Sequence, residues 1–239
     1  LAQKGLTGPK SVFEGRDGFL NAYAGKGSWQ IERLTDGFGQ RWETVNIFSR
    51  PYPVCNISSP FMDAALILKK KHSIDLEKIK EVRCFVAPGY SLNIICEPWE
   101  KKVDPPTPYG AKYSMPYDLA LMMVNERIDI EDFTPERFRP PRVMDLVKKV
   151  TYEADESRTK ETGKVKITMM DGTVYQHEVL HKKGSHGNPI TDEEVMEKFR
   201  RNVQAVLSEE TLSRVVALVN GLENLENIKE LTRILLLKT

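Results

Sequence analysis

The sequence has few of the features that mark metalloproteins, membrane proteins and nucleic-acid-binding proteins. Its 239 residues include three cysteines, Cys55, Cys84 and Cys96, whose spacing is not that of a zinc site. No apolar run approaches the roughly 20 residues that a membrane-spanning helix needs. The net charge of +1 provides no field that would attract nucleic acid or an anionic membrane. We therefore expect reduced thiols, no nucleic-acid partner and no membrane partner.

Targeting and phosphate-binding signals are also missing. The N-terminus lacks the basic flank and apolar run of a signal peptide, so we expect a cytoplasmic location. The segment 184–187 has two glycines but no Gly-Lys-Ser/Thr ending, and it does not predict a phosphate loop. His177, His181 and His186 are accompanied by no carboxylate or cysteine pattern, so we expect no metal site.

The chain is organised around residues 49–68. Pro51 and Pro53 favour an extended backbone, and Ser59 followed by Pro60 is typical of a helix N-terminus. A cluster of polar side chains precedes this helix: Arg50, Tyr52, Cys55, Asn56, Ser58 and Ser59. Because free N–H groups and the helix dipole favour anions at such a position, the cluster predicts either an anion-binding site or simply a capped surface loop.

Periodicity predicts a mixture of helices and strands. Helices are expected at residues 17–24, 28–34, 59–68, 115–124, 142–150, 191–206, 209–220 and 228–237. Extended segments are expected at residues 42–48, 79–87, 92–96, 150–153, 164–170 and 173–179, with a loop at 101–108 and a type I′ hairpin turn at Asp171-Gly172. These elements indicate an α+β fold, in which three or four antiparallel strands are covered on one face by helices.

A second polar segment leads into the helix at residues 115–124. Lys112, Tyr113 and Ser114 precede this helix, which is apolar nearly all round and therefore buried on several sides. Lys112 is a candidate for contacting a substrate carboxylate as a point charge, and it is equally compatible with a surface lysine.

The end of the chain is predicted to be entirely helical. Thr191 and Glu194 form a capping box, and Ser208 and Gly221 bound the next helix. The last predicted helix concentrates apolar residues at Leu231, Ile234, Leu235 and Leu236. Such a surface needs a partner, either elsewhere in the chain or in another subunit.

Four segments, in order and in register, resemble the MmgE/PrpD family. The central one is Arg-Pro-Tyr-Pro-x-Cys at residues 50–55, followed by Pro-x-x-Asp-Ala-Ala-Leu at 60–66. The others are Gly-Leu-Thr-Gly-Pro with Phe-Glu-Gly-Arg-Asp-Gly-Phe (5–9 and 13–19), Tyr-Gly-Ala-Lys-Tyr-Ser-Met-Pro-Tyr (109–117) and Asn-Pro-Ile-Thr-Asp-Glu-Glu-Val (188–195) leading into Lys198. The family includes 2-methylcitrate dehydratase, cis-aconitate decarboxylase and iminodisuccinate epimerase.

The resemblance implies a particular division of the chain. Residues 1–48 would end a large helical domain, 49–187 would form a small α+β domain, and 188–239 would pack back on the helical domain. In the family the large helical region precedes these residues and holds an Asp, one or more His and a Lys of the active site. Since the first residue is Leu1 rather than Met, we expect a C-terminal portion that works with a preceding region or a separate N-terminal helical chain, as a homodimer.

The chemistry implied by the resemblance needs neither cofactor nor metal. It is lyase or isomerase chemistry on a small polycarboxylic acid, in which a base removes a proton alpha to a carboxylate and an acid protonates a leaving hydroxyl or returns the proton. Cys55, where cis-aconitate decarboxylases place a histidine, and Tyr90 are the catalytic candidates. The substrate-binding candidates are Arg50, Tyr52, Ser58, Ser59, Lys112, Tyr113 and Ser114.

Two other readings of the sequence remain open. A non-catalytic partner subunit would have the same fold and would bind another chain through its C-terminal helices. A free-standing ligand-binding α+β domain would be a stable monomer, which the apolar residues between Leu231 and Leu237 disfavour.

Overall fold

The computed structural model describes residues 1–47 and 49–236. The chain divides into two compact units, Leu1–Ile47 and Phe48–Thr239. The proposed three-part division at residues 48 and 187 stays a prediction, and each unit is considered by itself below. No helix in the described part of the chain is long and apolar enough to cross a membrane.

The first unit consists of short helical turns separated by glycines. Its α-helix is α1 (Phe19–Ala24), and 3-10 turns occupy Ala2–Lys4, Ile31–Leu34 and Glu43–Asn46. The helix expected from residue 28 is thus a single turn that begins at Ile31. The prediction of an extended segment at 42–48 was also wrong, because a local hydrogen bond from Ile47 N to Thr44 O closes a turn there. Phe48 lies outside the described residues.

The second unit combines nine α-helices and four strands in its described residues. Before the crossover to the second strand they are α2 (Ser59–His72), β1 (Ile79–Val86), α3 (Tyr90–Ile95), α4 (Trp99–Val103), α5 (Pro108–Ala111), α6 (Met115–Asn125) and α7 (Pro141–Val147). After it come β2 (Val150–Ala154), β3 (Gly163–Met169), β4 (Val174–Val179), α8 (Asp192–Val203), α9 (Glu209–Asn220) and α10 (Lys229–Ile234). The α+β fold class expected from the sequence is confirmed.

The sheet is mixed rather than antiparallel, with strand order β2-β1-β3-β4. β1 runs antiparallel to β3, which forms a hairpin with β4, but β1 is parallel to β2, with Val82 opposite Val150. The chain between β1 and β2 contains α3 to α7, and such a long crossover can return a strand in the same direction. Alternation of apolar residues alone does not reveal strand direction, so the antiparallel prediction failed here.

The β3–β4 hairpin closes differently from the predicted type I′ turn. That turn needs a positive φ at both central residues, whereas among Met170–Thr173 only Gly172 has one, at 88°. The Met169 N–H donates to Thr173 O at 2.8 Å, and the Asp171 carboxylate accepts from the Thr173 N–H at 2.8 Å. These contacts are those of a longer hairpin loop with one glycine in the left-handed conformation.

Two predicted irregular or extended segments are helical. Residues 92–96, expected to be extended, lie in α3 and at its C-terminus, and Lys101 to Val103, expected to lie in a loop, end α4. A short apolar run fits a strand or a buried helical turn equally well. Here Gly89 (φ 69°) redirects the chain after β1, and Cys96 N donates to Leu92 O at 2.9 Å.

The core lies between the sheet and the helices α2 and α6. α2 packs on β3 and β4, and α6 packs against α2 and α7. Phe61, Met62 and Leu68 of α2 and Leu119, Leu121 and Met122 of α6 are fully buried in it. The polar segments that precede the two helices are joined by a backbone hydrogen bond from Cys55 N to Lys112 O.

Candidate functional site

A cavity of about 720 Å³ lies where the polar segments of the second unit converge. Its wall is formed by the loop before α2, by α3, by α5 with the residues after it, by the β2–β3 loop, and by single residues after β4 and on α8. Six candidates from the sequence lie on this wall: Arg50, Tyr52, Cys55, Tyr90, Lys112 and Tyr113.

Three backbone hydrogen bonds hold the loop before α2 in place. Ser49 N donates to Gly184 O at 3.1 Å, and Cys55 N donates to Lys112 O at 2.7 Å. The Ser58 N–H closes a turn on Cys55 O at 3.0 Å. The loop is therefore attached to the turn after β4 on one side and to the residues before α6 on the other.

The wall carries far more positive than negative charge. Among the described residues that line it there are five cationic side chains, Arg50, Lys112, Lys160, Lys182 and Lys198, and one carboxylate, Glu161. Lys182 is buried and pairs with Glu161 at 2.8 Å. The other four form no ion pair with any described carboxylate, and this leaves a cavity suited to an anion with several negative charges.

The four cations are held in different ways. Lys198 Nζ donates to the backbone carbonyl of Arg50, which fixes α8 against the loop. Lys112 Nζ lies over the Phe133 ring, 5.0 Å from its centroid. Arg50 and Lys160 are exposed, and their side chains are available to a ligand.

Cys55 is half-buried, whereas Cys84 and Cys96 are buried. Burial is the largest cause that raises the pKa of the Cys55 thiol; the nearby Asp118 carboxyl raises it further, and Arg50 acts in the opposite direction. Cys55 is therefore a thiol at neutral pH, which suits a proton donor and not a thiolate base.

The tyrosines on the wall differ in their hydrogen-bond partners and in their exposure. Tyr52 Oη donates to Asp63 Oδ1 at 2.7 Å, and burial raises the pKa of both groups. Tyr113 shares a 3.3 Å hydrogen bond with Tyr109, which raises the Tyr113 pKa. Tyr90, the first residue of α3, is 70% exposed on the wall.

Ser58, Ser59 and Ser114 do not reach the cavity and are buried beneath it. Ser58 is the N-cap of α2, so the helix begins at Ser59 rather than being capped by it. Ser114 donates to Lys102 O at 2.6 Å and accepts from Tyr117 N at 3.1 Å, which makes it the N-cap of α6. Ser114 thus has a structural role as an N-cap. The Ser58 N–H donates to Cys55 O within the loop's own turn.

Sequence reasoning missed five titratable wall residues among those described: Tyr109, Lys160, Glu161, Lys182 and Lys198. Tyr109 and Lys198 stand in or next to the segments that carry the family resemblance, but nothing local marked their side chains. The described residues form no group of three or more metal-ligating side chains.

Comparison with known protein families identifies the family of the domain that carries this cavity. The family described as MmgE/PrpD C-terminal domain matches residues 52–224. The chain belongs to the MmgE/PrpD family.

Curated relatives of this MmgE/PrpD chain are similar along nearly its whole length. Cis-aconitate decarboxylase of Mus musculus is 26% identical over 98% of the chain, and that of Homo sapiens is 24% identical over 98%. Cis-aconitate decarboxylase of Aspergillus terreus is 25% identical, again over 98% of the chain. The aligned region covers 48%, 49% and 51% of these relatives, so the chain spans about half of their length.

Proposed function

We propose that this chain is the substrate-holding half of a lyase or isomerase that acts on a small polycarboxylic acid, needing neither metal nor cofactor. The observation that carries the proposal is the cavity with four cations that no described carboxylate neutralises. A substrate with two or three carboxylates would supply the missing negative charge. Membership of the MmgE/PrpD family supports the same class of substrate.

The wall residues have distinct roles in this proposal. Arg50 and Lys112 bind substrate carboxylates, since both project from segments joined by the Cys55–Lys112 backbone hydrogen bond. Tyr90 closes over the substrate at the exposed rim. Cys55 donates a proton as a neutral thiol, in agreement with its raised pKa.

The base that removes the proton alpha to a carboxylate would come from outside this chain. A preceding helical region, or a separate helical chain, supplies it in a cytoplasmic homodimer. The relatives support a preceding region, because they are about twice as long as the chain.

The overall reaction we favour is dehydration of a citrate-like hydroxy acid, as in 2-methylcitrate dehydration. Loss of a hydroxyl group needs a proton donor near the leaving oxygen, which the Cys55 thiol provides. Two other reactions would use the same carboxylate contacts: epimerisation, and decarboxylation, which is the reaction in the names of the relatives. Both are tested with the same protein.

Binding of tricarboxylates to the intact protein tests the first step. We expect citrate and cis-aconitate to bind more tightly than acetate in isothermal titration calorimetry, and Arg50→Gln or Lys112→Gln to weaken their binding about tenfold each, as for a lost charge-assisted hydrogen bond. Lys101→Gln is a matched control, because Lys101 is exposed and does not line the cavity. Tricarboxylate binding no tighter than that of acetate would refute the proposal.

A second measurement separates an enzyme from a non-catalytic partner subunit. Proton NMR of a bound tricarboxylate in deuterated water reports exchange at the carbon alpha to a carboxylate, together with any product. Exchange or turnover by the intact protein supports the lyase or isomerase. Tight binding without either supports a non-catalytic subunit of the same fold.

A further inference from the structure

Asp118 is a buried carboxyl that the proposed reaction does not use. It lies in the first turn of α6, is 0% exposed, and neither of its carboxylate oxygens has a hydrogen-bond partner in the described residues. The Ser58 hydroxyl beside it is also fully buried and lacks a hydrogen bond of good geometry. Buried polar groups are normally paired, so an unpaired carboxyl in the helix that follows the wall residues Lys112 and Tyr113 requires an explanation.

The cation that faces Asp118 is committed to other groups. Lys102, on α4, donates from Nζ to Ile94 O at 2.6 Å and to Tyr113 O at 2.7 Å, and it forms no ion pair with Asp118. Without a paired cation, the ionised form of a buried carboxyl is strongly disfavoured. Burial accordingly raises the pKa of Asp118 well above its usual range, although Ser58 and Lys102 act in the opposite direction.

Asp118 is close enough to Cys55, the one cysteine among the described wall residues, for its carboxyl to act on the thiol. Ser58, which faces the carboxyl, is bonded through its N–H to Cys55 O at 3.0 Å, so Cys55 and Ser58 form one turn over the first turn of α6. The titratable and charged groups that act on Cys55 or respond to it are Arg50, Lys102, Tyr113 and Asp118. Two acids thus share a poorly solvated site, and no cation in the described part of the chain forms an ion pair with Asp118.

We propose that Asp118 and Cys55 act as one proton-holding pair, in which Asp118 is a positioning residue that keeps Cys55 in its thiol form. Two negative charges so close together in a poorly solvated site repel each other, and the second ionisation is therefore displaced to higher pH. The protons of this pair exchange with solvent through the cavity side of Cys55, since Asp118 has no exposed surface. The catalytic role of Cys55 rests on the proposed function, whereas the coupling of Cys55 to Asp118 does not.

Alkylation of Cys55 as a function of pH measures this coupling without any substrate. The intact protein is treated with iodoacetamide, and labelling of the peptide that contains Cys55 is followed by mass spectrometry, with Cys55→Ser as the blank. We expect Asp118→Asn to lower the pH midpoint of labelling by about half a unit, which gives roughly threefold faster labelling below the midpoint. An unchanged or higher midpoint would overturn the proposal.

Arg50→Gln provides a control of opposite sign. It removes the cation that favours the thiolate, so its midpoint should rise while that of Asp118→Asn falls. A purely structural effect of Asp118→Asn would raise the labelling rate at every pH and leave the midpoint where it was, which contradicts the proposal. Failure of the wild-type protein to bind tricarboxylates more tightly than acetate would, by contrast, refute the proposed function and leave this titration unaffected.

A measurement on the unaltered protein keeps the proposal testable if Asp118→Asn does not fold. The ¹³C shift of the Cys55 β-carbon should titrate in two steps, because it senses the ionisation of both members of the pair. A single step would contradict the coupling.

Discussion

At the scale of single residues, the environment of a side chain decides its chemistry more than its type does. Cys55 and Asp118 are both acids, and burial raises the pKa of each. On the same wall, Arg50 is exposed and Lys112 is half-buried. The proposed site therefore combines cationic side chains for an anion with two acids whose burial favours the protonated form.

The buried carboxyl of Asp118 should make the stability of the protein depend on pH. The folded chain retains a proton that the unfolded chain releases above about pH 3.9, so the free energy of unfolding falls as the pH rises from there to the folded pKa of Asp118. We expect Asp118→Asn to match the wild type near pH 4 and to be more stable at pH 8. The gain in the free energy of unfolding is about 1.4 kcal/mol for each pH unit between the unfolded and the folded pKa of Asp118. Only the part of this pH range that lies below pH 8 counts toward the difference measured at pH 8.

Urea unfolding at the two pH values measures this difference. Asp145→Asn is a suitable control, because Asp145 is exposed and pairs with Lys148 at the surface. Lower stability of Asp118→Asn at pH 8 would show that the carboxylate has a partner that stabilises its charge.

At the scale of elements, the site depends on loops that are attached to rigid helices and strands. Gly184 in the turn after β4 accepts the hydrogen bond from Ser49 N, and a Cβ at Gly184 would lie 1.9 Å from Ser49 O. Gly184 also has a φ of 90°. This close approach places Arg50 at the cavity, because Arg50 directly follows Ser49.

Gly184→Ala should therefore displace the loop and weaken tricarboxylate binding in calorimetry. Gly172→Ala is the matched control: its φ of 88° is equally unfavourable for alanine, but its Cβ would meet nothing within 4 Å. We expect Gly172→Ala to cost about 1–2 kcal/mol of stability from backbone strain and to leave binding unchanged. Equal binding by the two variants would show that the Ser49–Gly184 contact does not position the site.

At the scale of the whole molecule, the apolar surface on the C-terminal helices is the basis for the predicted partner. In α9 only Leu212 and Val215 are buried, and α10 has no buried residue. Leu236, beyond α10, is 72% exposed. Surfaces of this kind are usually covered by another chain or another part of the same chain.

Mass spectrometry of the protein from its native source tests this expectation. We expect either a chain heavier than 27.3 kDa or a second helical chain in equal amount, because the curated relatives are about twice as long. A single species of 27.3 kDa, monomeric in native conditions, would favour the alternative of a binding module without its own catalytic base.

The sequence by itself determined the features that depend on neighbouring residues. The capping box of Thr191 and Glu194 and the N-cap Ser208 are present as expected, because caps are hydrogen bonds between residues three positions apart. Six of the nine candidate site residues lie on the cavity because they stand in the polar loops before α2 and α6 or at the start of α3. The family was also correctly identified from short motifs in register.

Only the tertiary structure decided which distant residues meet. Lys160, Lys182 and Lys198 reach the cavity from three separate segments, and no local pattern marks them. The parallel pairing of β1 with β2 depends on the long crossover between them. Asp118 loses its contact with water because α6 packs against its neighbours, and desolvation is a property of the packed chain that a sequence of side chains does not show.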